Sequence, residues 1–145
     1  MGEPSSREHR VVNIRRVNPE SLPPGRGFTH AVVADGRVYL SGQTALDRSG
    51  RIVAGDVVAQ FEQALGNLVE ALNAAGGHPD QLVTLTVYVV DLDGYQARLR
   101  DIGDVWRRLV GNEYPAMAAV GVSRLWDVEA LVEVQGVAVL DGGTG

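Results

Sequence analysis

Three stretches of this chain have apolar patterns that are typical of β-strands. Residues 82–90 are rich in β-branched and aromatic side chains, and residues 116–122 are a continuous apolar run. Residues 130–140 alternate with period two, so that Val132, Val134, Gly136, Ala138 and Leu140 point to one face of the predicted strand. Because the intervening positions are also largely apolar, both faces of this last strand are predicted to be covered.

Apolar residues at helical spacing predict two helices. The first begins after Asp56, which can cap its amino end, and stops at the glycine pair 76–77. The second is predicted from about residue 94 to residue 110, with Tyr95 and Trp106 in its apolar stripe.

The amino-terminal part of the chain predicts a strand, a loop and a hairpin. Residues 11–17 form a plausible first strand, and residues 18–27, with three prolines and two glycines, predict a loop. Two strands at 29–34 and 37–41 are joined by Asp35-Gly36, the dipeptide that favours a type I′ turn.

The element order predicts an α/β fold, with a mixed sheet and two helices on one face of it. Right-handed strand–helix–strand crossovers place both helices on the same side. The other face would then expose valine, leucine and tyrosine side chains in a monomer. We therefore expect self-association, most simply in a closed symmetric ring.

One carboxylate interrupts the most strand-like segment. Glu133 lies in the middle of the alternating run at 130–140. Burial of an unpaired carboxylate costs several kcal/mol, roughly, unless it is hydrogen-bonded, paired or protonated. Glu133 is therefore predicted to be either a functional group, a hydrogen-bonded interface residue or an exposed residue of an edge strand.

Length and composition predict a single globular domain over residues 11–141, preceded by a flexible leader at 1–10. The sequence contains no run of about 18 apolar residues, so we expect no membrane-spanning helix. The amino terminus is polar and has no hydrophobic segment, so we do not expect a secretory signal there. The 145 residues include no cysteine, which excludes disulfides and thiolate chemistry. We expect a cytoplasmic protein.

The charged residues exclude several functions. The formal net charge is −5, and all 13 basic residues are arginine, so that a lysine Schiff base is excluded. An acidic chain is a poor candidate for nucleic-acid binding, where affinity depends on phosphate neutralisation. His9, His30 and His78 are too widely spaced to predict a metal site.

Several short motifs, in this order, carry a resemblance to a known family. They are Ser41-Gly42-Gln43 after the hairpin, Gln60 and Asn67 on the first helix, Ala75-Gly76 at its end, VYVVDL at 87–92, Pro115-Ala116, Val-Gly-Val within 120–122 and Val132-Glu133-Val134. Together they resemble the Rid family, also called YjgF-like, from about residue 11 to residue 140.

The resemblance implies a fold similar to that of chorismate mutase and a homotrimer with ligand clefts between subunits. In the deaminase branch of the family, such a cleft hydrolyses enamines and imines to 2-oxo acids and ammonia, without cofactor or metal. Glu133 matches the carboxylate of the family site, and Ser41 matches a binding serine. Gly42 would let backbone amides approach a ligand closely.

This sequence departs from the deaminase pattern in three places. Met117 stands where deaminase members have the arginine that binds the substrate carboxylate, and its side chain has no donor. Phe28 stands at the position of a pocket tyrosine, and Gly103 at that of an asparagine. These departures put the usual 2-imino acid chemistry in doubt.

Two function classes therefore stay open. The first is a small-molecule cleft of altered specificity, with Met117 and Phe28 as an apolar wall, Glu133, Ser41 and His30 as polar points, and Trp126 near the rim. The second is a non-catalytic binding or interaction protein, in which Glu133 only bonds backbone amides. A ribonuclease or translation-inhibitor activity, known for some family members, ranks last because no acid–base pair with phosphate-binding cations is evident.

Arg124 is a weak substitute for the missing arginine, since an odd spacing of seven places it on the opposite face from Met117 unless Gly121 introduces a bulge.

Overall fold

The computed structural model describes residues 13–141. The predicted leader at 1–10 and the first two residues of the predicted first strand lie outside the described residues. The elements along the chain are β1 Ile14–Val17, β2 Ala31–Ala34, β3 Arg37–Gln43, α1 Val57–Ala74, β4 Leu82–Val89, α2 Leu92–Gln96, α3 Leu99–Leu109, β5 Ala116–Gly121 and β6 Val132–Val139.

The six strands form one mixed sheet in the order β1-β2-β3-β6-β4-β5. All neighbouring pairs are antiparallel except β4 and β5, which are parallel. The last strand, β6, is therefore inserted between β3 and β4. Because β3 and β4 are both antiparallel to β6, they run parallel to each other, and α1 provides the crossover between them. The predicted mixed sheet is confirmed.

The helices cover one face of the sheet and bury the hydrophobic core against it. The Asp56 side chain caps α1 by accepting a hydrogen bond of 3.0 Å from the Ala59 amide. The chain turns away after α1 at Gly76, whose φ of +95° favours glycine. The largest fully buried side chains of the core are Phe61, Leu65, Leu68, Leu72, Leu85, Val38, Val87, Val89, Val132 and Val134.

The prediction of one continuous second helix over residues 94–110 is wrong. The chain forms α2 and α3, with the non-helical Arg98 between them at φ −117° and ψ 25°. The Arg98 guanidinium contacts Asp56 at 2.7 Å and Asp101 at 2.9 Å, which holds the junction against the start of α1. Tyr95 and Ile102 are both buried on the side of the core. The apolar stripe therefore continues across the break, and periodicity alone does not reveal it.

The opposite face of the sheet is open in the single chain, as the sequence predicted. Tyr39, Val120 and Val139 are between 41% and 46% exposed on it. The expectation that further copies of the chain cover this face stays a prediction. No helix of residues 13–141 is both long and apolar enough to cross a bilayer, and the cytoplasmic location also stays a prediction.

Candidate functional site

The Glu133 carboxylate lies on the open face of the sheet, directly over the backbone of Gly42. A Cβ atom added to Gly42 would lie 1.9 Å from Glu133 Oε2, so any other residue at position 42 would force the carboxylate to move. Burial raises the pKa of Glu133 above its ordinary value. Within residues 13–141, no hydrogen bond or ion pair compensates for that loss of hydration. A half-buried carboxylate without such a partner is available to a ligand and can exchange a proton with it.

A β-bulge brings Gly42 beneath this carboxylate. In the β3–β6 ladder Leu40 pairs with Gly136 and Gln43 pairs with Val134. Two residues of β3, at 41 and 42, therefore lie opposite the single residue 135 of β6. The bulge ends the regular pairing of β3 at the place where Glu133 needs space.

Ser41 is fixed by the neighbouring hairpin strand. Its hydroxyl donates a hydrogen bond to the Thr29 carbonyl oxygen, and its amide donates to the His30 carbonyl oxygen at 2.9 Å. The side chain is therefore oriented by Thr29, next to Phe28 in the chain. The Phe28 ring is 47% exposed and meets the His30 ring edge-on, with a centroid distance of 5.2 Å. Phe28, Ser41, Gly42 and Glu133 thus form one connected group of predicted site residues.

His30 belongs to the same group but is turned into the protein. It is only 3% exposed, and both ring nitrogens have protein partners. Nε2 lies 2.7 Å from the Pro23 carbonyl oxygen, which can only accept, so Nε2 carries the proton. Nδ1 then accepts from Gln43 Nε2 at 3.0 Å. These contacts favour a supporting role for His30, and its direct contact with a ligand stays a prediction.

Met117 lies on the other face of the sheet. Its register partner on β4 is Leu85, a buried core residue, whereas the partner of Glu133 on β4 is Tyr88. Since side chains alternate between faces, Met117 and Glu133 point to opposite faces of the same sheet. Met117 is 43% exposed on the edge strand β5. One chain alone therefore does not bring these two residues into one site.

Arg124 does not replace the missing cation within this group. The β4–β5 register runs without a bulge from the Thr84–Ala116 pair to the Val89–Gly121 pair. Beyond the strand, the Arg124 guanidinium donates to the carbonyl oxygens of Leu125 and Trp126 in its own loop. Trp126 is 89% exposed, and among the described residues no hydrogen bond or ring contact links it to Glu133.

A comparison with known proteins identifies the family. The model of the family described as Endoribonuclease L-PSP matches residues 19–140. The chain belongs to this family, also known as the Rid or YjgF-like family. The chain is 33% identical over 136 residues to the 2-iminobutanoate/2-iminopropanoate deaminase of Capra hircus, a match that covers 93% of each protein.

Two solved structures show how closely the fold follows the Rid family. A putative endoribonuclease of Thermotoga maritima is 28% identical, with a TM-score of 0.79, covering 88% of this chain and 98% of that one. E. coli TdcF with bound serine is 25% identical, with a TM-score of 0.75, covering 86% and 98%. The predicted fold class is therefore confirmed.

Two side-chain amides of α1, those of Gln60 and Asn67, hold the backbone next to the strands that carry the site. The side chain of Gln60 accepts from the Leu131 amide at 2.8 Å and donates to the Glu129 carbonyl oxygen at 3.1 Å, which fixes the start of β6. Asn67 Nδ2 donates to the carbonyl oxygens of Thr44 and Leu46, just after β3. In the sequence, both amides were recognised only as family motifs. Their spacing of seven along an apolar helix face was the signal that they are buried and bonded to the backbone.

Gln43 was not predicted from the sequence as a residue that supports the site by itself. Gln43 is 5% exposed and holds His30 from the end of β3.

Residues 13–141 contain no group of three or more His, Asp or Glu side chains that could hold a metal ion.

Proposed function

We propose that this Rid-family protein hydrolyses an enamine or imine in a cleft completed by a second copy of the chain, and that its substrate lacks a carboxylate. The observation that carries the proposal is the Glu133 carboxylate. It is half-buried on an uncovered sheet face, with a raised pKa and with no compensating partner among residues 13–141.

Imine hydrolysis needs what such a carboxylate offers. Water adds to the C=N carbon, and the resulting carbinolamine collapses to a carbonyl compound and ammonia. The protonated Glu133 can donate to the imine nitrogen, and the carboxylate can then take a proton from the attacking water. Because burial raises the pKa of Glu133, its protonated form is more accessible than that of an ordinary exposed glutamate. The relative from Capra hircus is named as a deaminase of such imines, and this supports the reaction class.

The residues that we propose to line the cleft favour a less polar substrate than a 2-imino acid. A substrate carboxylate would need a cation or several donors to replace its hydration. Met117 offers neither, Phe28 has no hydroxyl, and the Arg124 guanidinium is bound to carbonyl oxygens of its own loop. We therefore place an apolar group where deaminase members hold a carboxylate.

The opposite orientations of Met117 and Glu133 support a site between subunits. If both residues line one cleft, Met117 must come from one copy and Glu133 from another. The exposed apolar side chains of the open face give a reason for such an assembly. We propose the homotrimer that the resemblance implies, and light scattering tests it. A monomer in solution at assay concentrations would rule out the shared cleft.

The deciding experiment measures imine hydrolysis with imines generated in situ by an amine oxidase or an amino-acid oxidase. The oxidase substrates include amines without a carboxylate as well as ordinary amino acids. The native protein is compared with Glu133→Gln, which keeps shape and removes proton transfer, and with Met117→Arg. We expect native activity on imines without a carboxylate, its loss in Glu133→Gln, and a gain on 2-imino acids in Met117→Arg.

The alternative is a non-catalytic binding protein that uses the same cleft. It is favoured if correctly assembled native protein hydrolyses none of these imines but binds a small apolar ligand. Activity only in Met117→Arg would mean that the fold supports the chemistry while the native site serves another ligand.

A further inference from the structure

His30 connects two segments of the chain, the loop after β1 and strand β3, at one buried point. Its amide donates to Asn18 Oδ1 at 3.0 Å and its Nε2 donates to the Pro23 carbonyl oxygen at 2.7 Å, which fixes the first residue and a middle residue of the loop after β1. Its carbonyl oxygen accepts from the Ser41 amide, and its Nδ1 accepts from the Gln43 side chain. All these partners belong to the chain itself, so the ring is not free to bind a ligand through its nitrogens.

The two contacts to β3 lie on either side of Gly42. Ser41 is held through its backbone amide and Gln43 through its side chain, while Gly42 between them contributes the space that Glu133 occupies. A bulged strand has lost part of its ladder, and its path depends on such additional contacts. If the bulge moved by a fraction of an ångström toward the carboxylate, Glu133 would have to adopt another position.

We infer that His30 is a positioning residue, which holds the bulge at Ser41 and Gly42 so that the Glu133 carboxylate keeps its place over Gly42. His30 acts through β3 and does not touch the substrate. This inference deepens the proposed function, and its catalytic consequence rests on that function. Its geometric part does not, because the position of Glu133 can be observed without any substrate.

The test follows the side-chain carboxyl carbon of Glu133 by ¹³C NMR as a function of pH, in protein labelled at glutamate. His30→Phe keeps a ring and removes both ring hydrogen bonds, whereas His30→Gln retains one acceptor and one donor. Gly42→Ala disturbs the carboxylate directly, and Gly66→Ala is its matched control, since a Cβ there meets nothing within 4 Å. Among residues 13–141, the strands carry four other titratable groups on this sheet face, Tyr39, Tyr88, Arg16 and Arg37, and none of the variants alters them.

We expect the Glu133 titration to shift in the same direction in His30→Phe and Gly42→Ala, toward that of an ordinary exposed glutamate. It should stay unchanged in His30→Gln and Gly66→Ala. If His30→Phe does not fold, Gln43→Met removes one of the two contacts and should produce the same shift. An unchanged Glu133 titration in a folded His30→Phe or Gln43→Met protein would overturn the inference.

Kinetics provide a separate readout once an imine substrate is identified. Misplacement of the carboxylate should lower kcat of His30→Phe at least tenfold with little change in KM, and His30→Gln should restore most of it. Equal losses in His30→Phe and His30→Gln would contradict the positioning role. If no imine is hydrolysed by the native protein, the proposed function fails, while the NMR comparison still decides the role of His30.

Discussion

Glu133 is predicted to reduce the stability of the fold at neutral pH. Burial raises the pKa of this carboxyl group above its ordinary value of 4.5. Below about pH 4.5, Glu133 is protonated in both the folded and the unfolded chain, and the group costs nothing. As the pH rises through the window between 4.5 and the raised pKa, the unfolded chain loses the proton first, so the free energy of unfolding falls. Above that window the loss is complete.

The substitution Glu133→Gln removes this cost while keeping the side-chain shape over Gly42. The gain in unfolding free energy at pH 8 should be about 1.4 kcal/mol for each unit by which the folded-state pKa is raised. At pH 4 the native and variant proteins should differ little. If Glu133 is the catalytic group that we propose, this loss of stability is the common trade between activity and stability.

Urea denaturation of both proteins at pH 4 and pH 8 provides the measurement, at one protein concentration because self-association affects stability. The ¹³C titration of Glu133 gives the pKa shift independently, and the two numbers must agree through the factor above. The reasoning is refuted if Glu133→Gln is no more stable than the native protein at pH 8, or if the difference does not depend on pH.

Three further substitutions test other parts of the structure. Gly66→Ala should stabilise the protein by up to about 1 kcal/mol, because the residue is inside α1 with open space around it; a loss in thermal denaturation would reveal a contact with another copy. Gln60→Leu should destabilise by about 2 kcal/mol or more, because the Leu131 amide and the Glu129 carbonyl oxygen lose their partner; an unchanged urea midpoint would contradict this. Trp126→Ser should change the stability of the single chain by less than about 0.5 kcal/mol, so that a clear loss of assembly or ligand binding would assign the exposed ring to one of those contacts.

The local elements were predictable because their signals are local. A run of β-branched and aromatic residues located β4, and alternation with period two located β6. Apolar spacing of three or four residues located α1, and Asp35-Gly36 located the hairpin between β2 and β3. The unusual position of Glu133 was also evident, since a carboxylate in an apolar strand breaks the pattern whatever the strand pairs with. The break between α2 and α3 was not predicted, because the buried residues of both helices belong to one continuous apolar stripe in the sequence.

The sequence by itself determined the element types, the family, and Glu133, Ser41 and Gly42 as candidate site residues. Only the tertiary structure decided that Glu133 lies over Gly42, that His30 is buried as a junction, and that Met117 faces away from Glu133. The physical reason is the pairing of the strands. A register or a bulge belongs to two strands together, and a shift of one residue moves a side chain to the other face, so the pattern of one strand does not determine which residues meet.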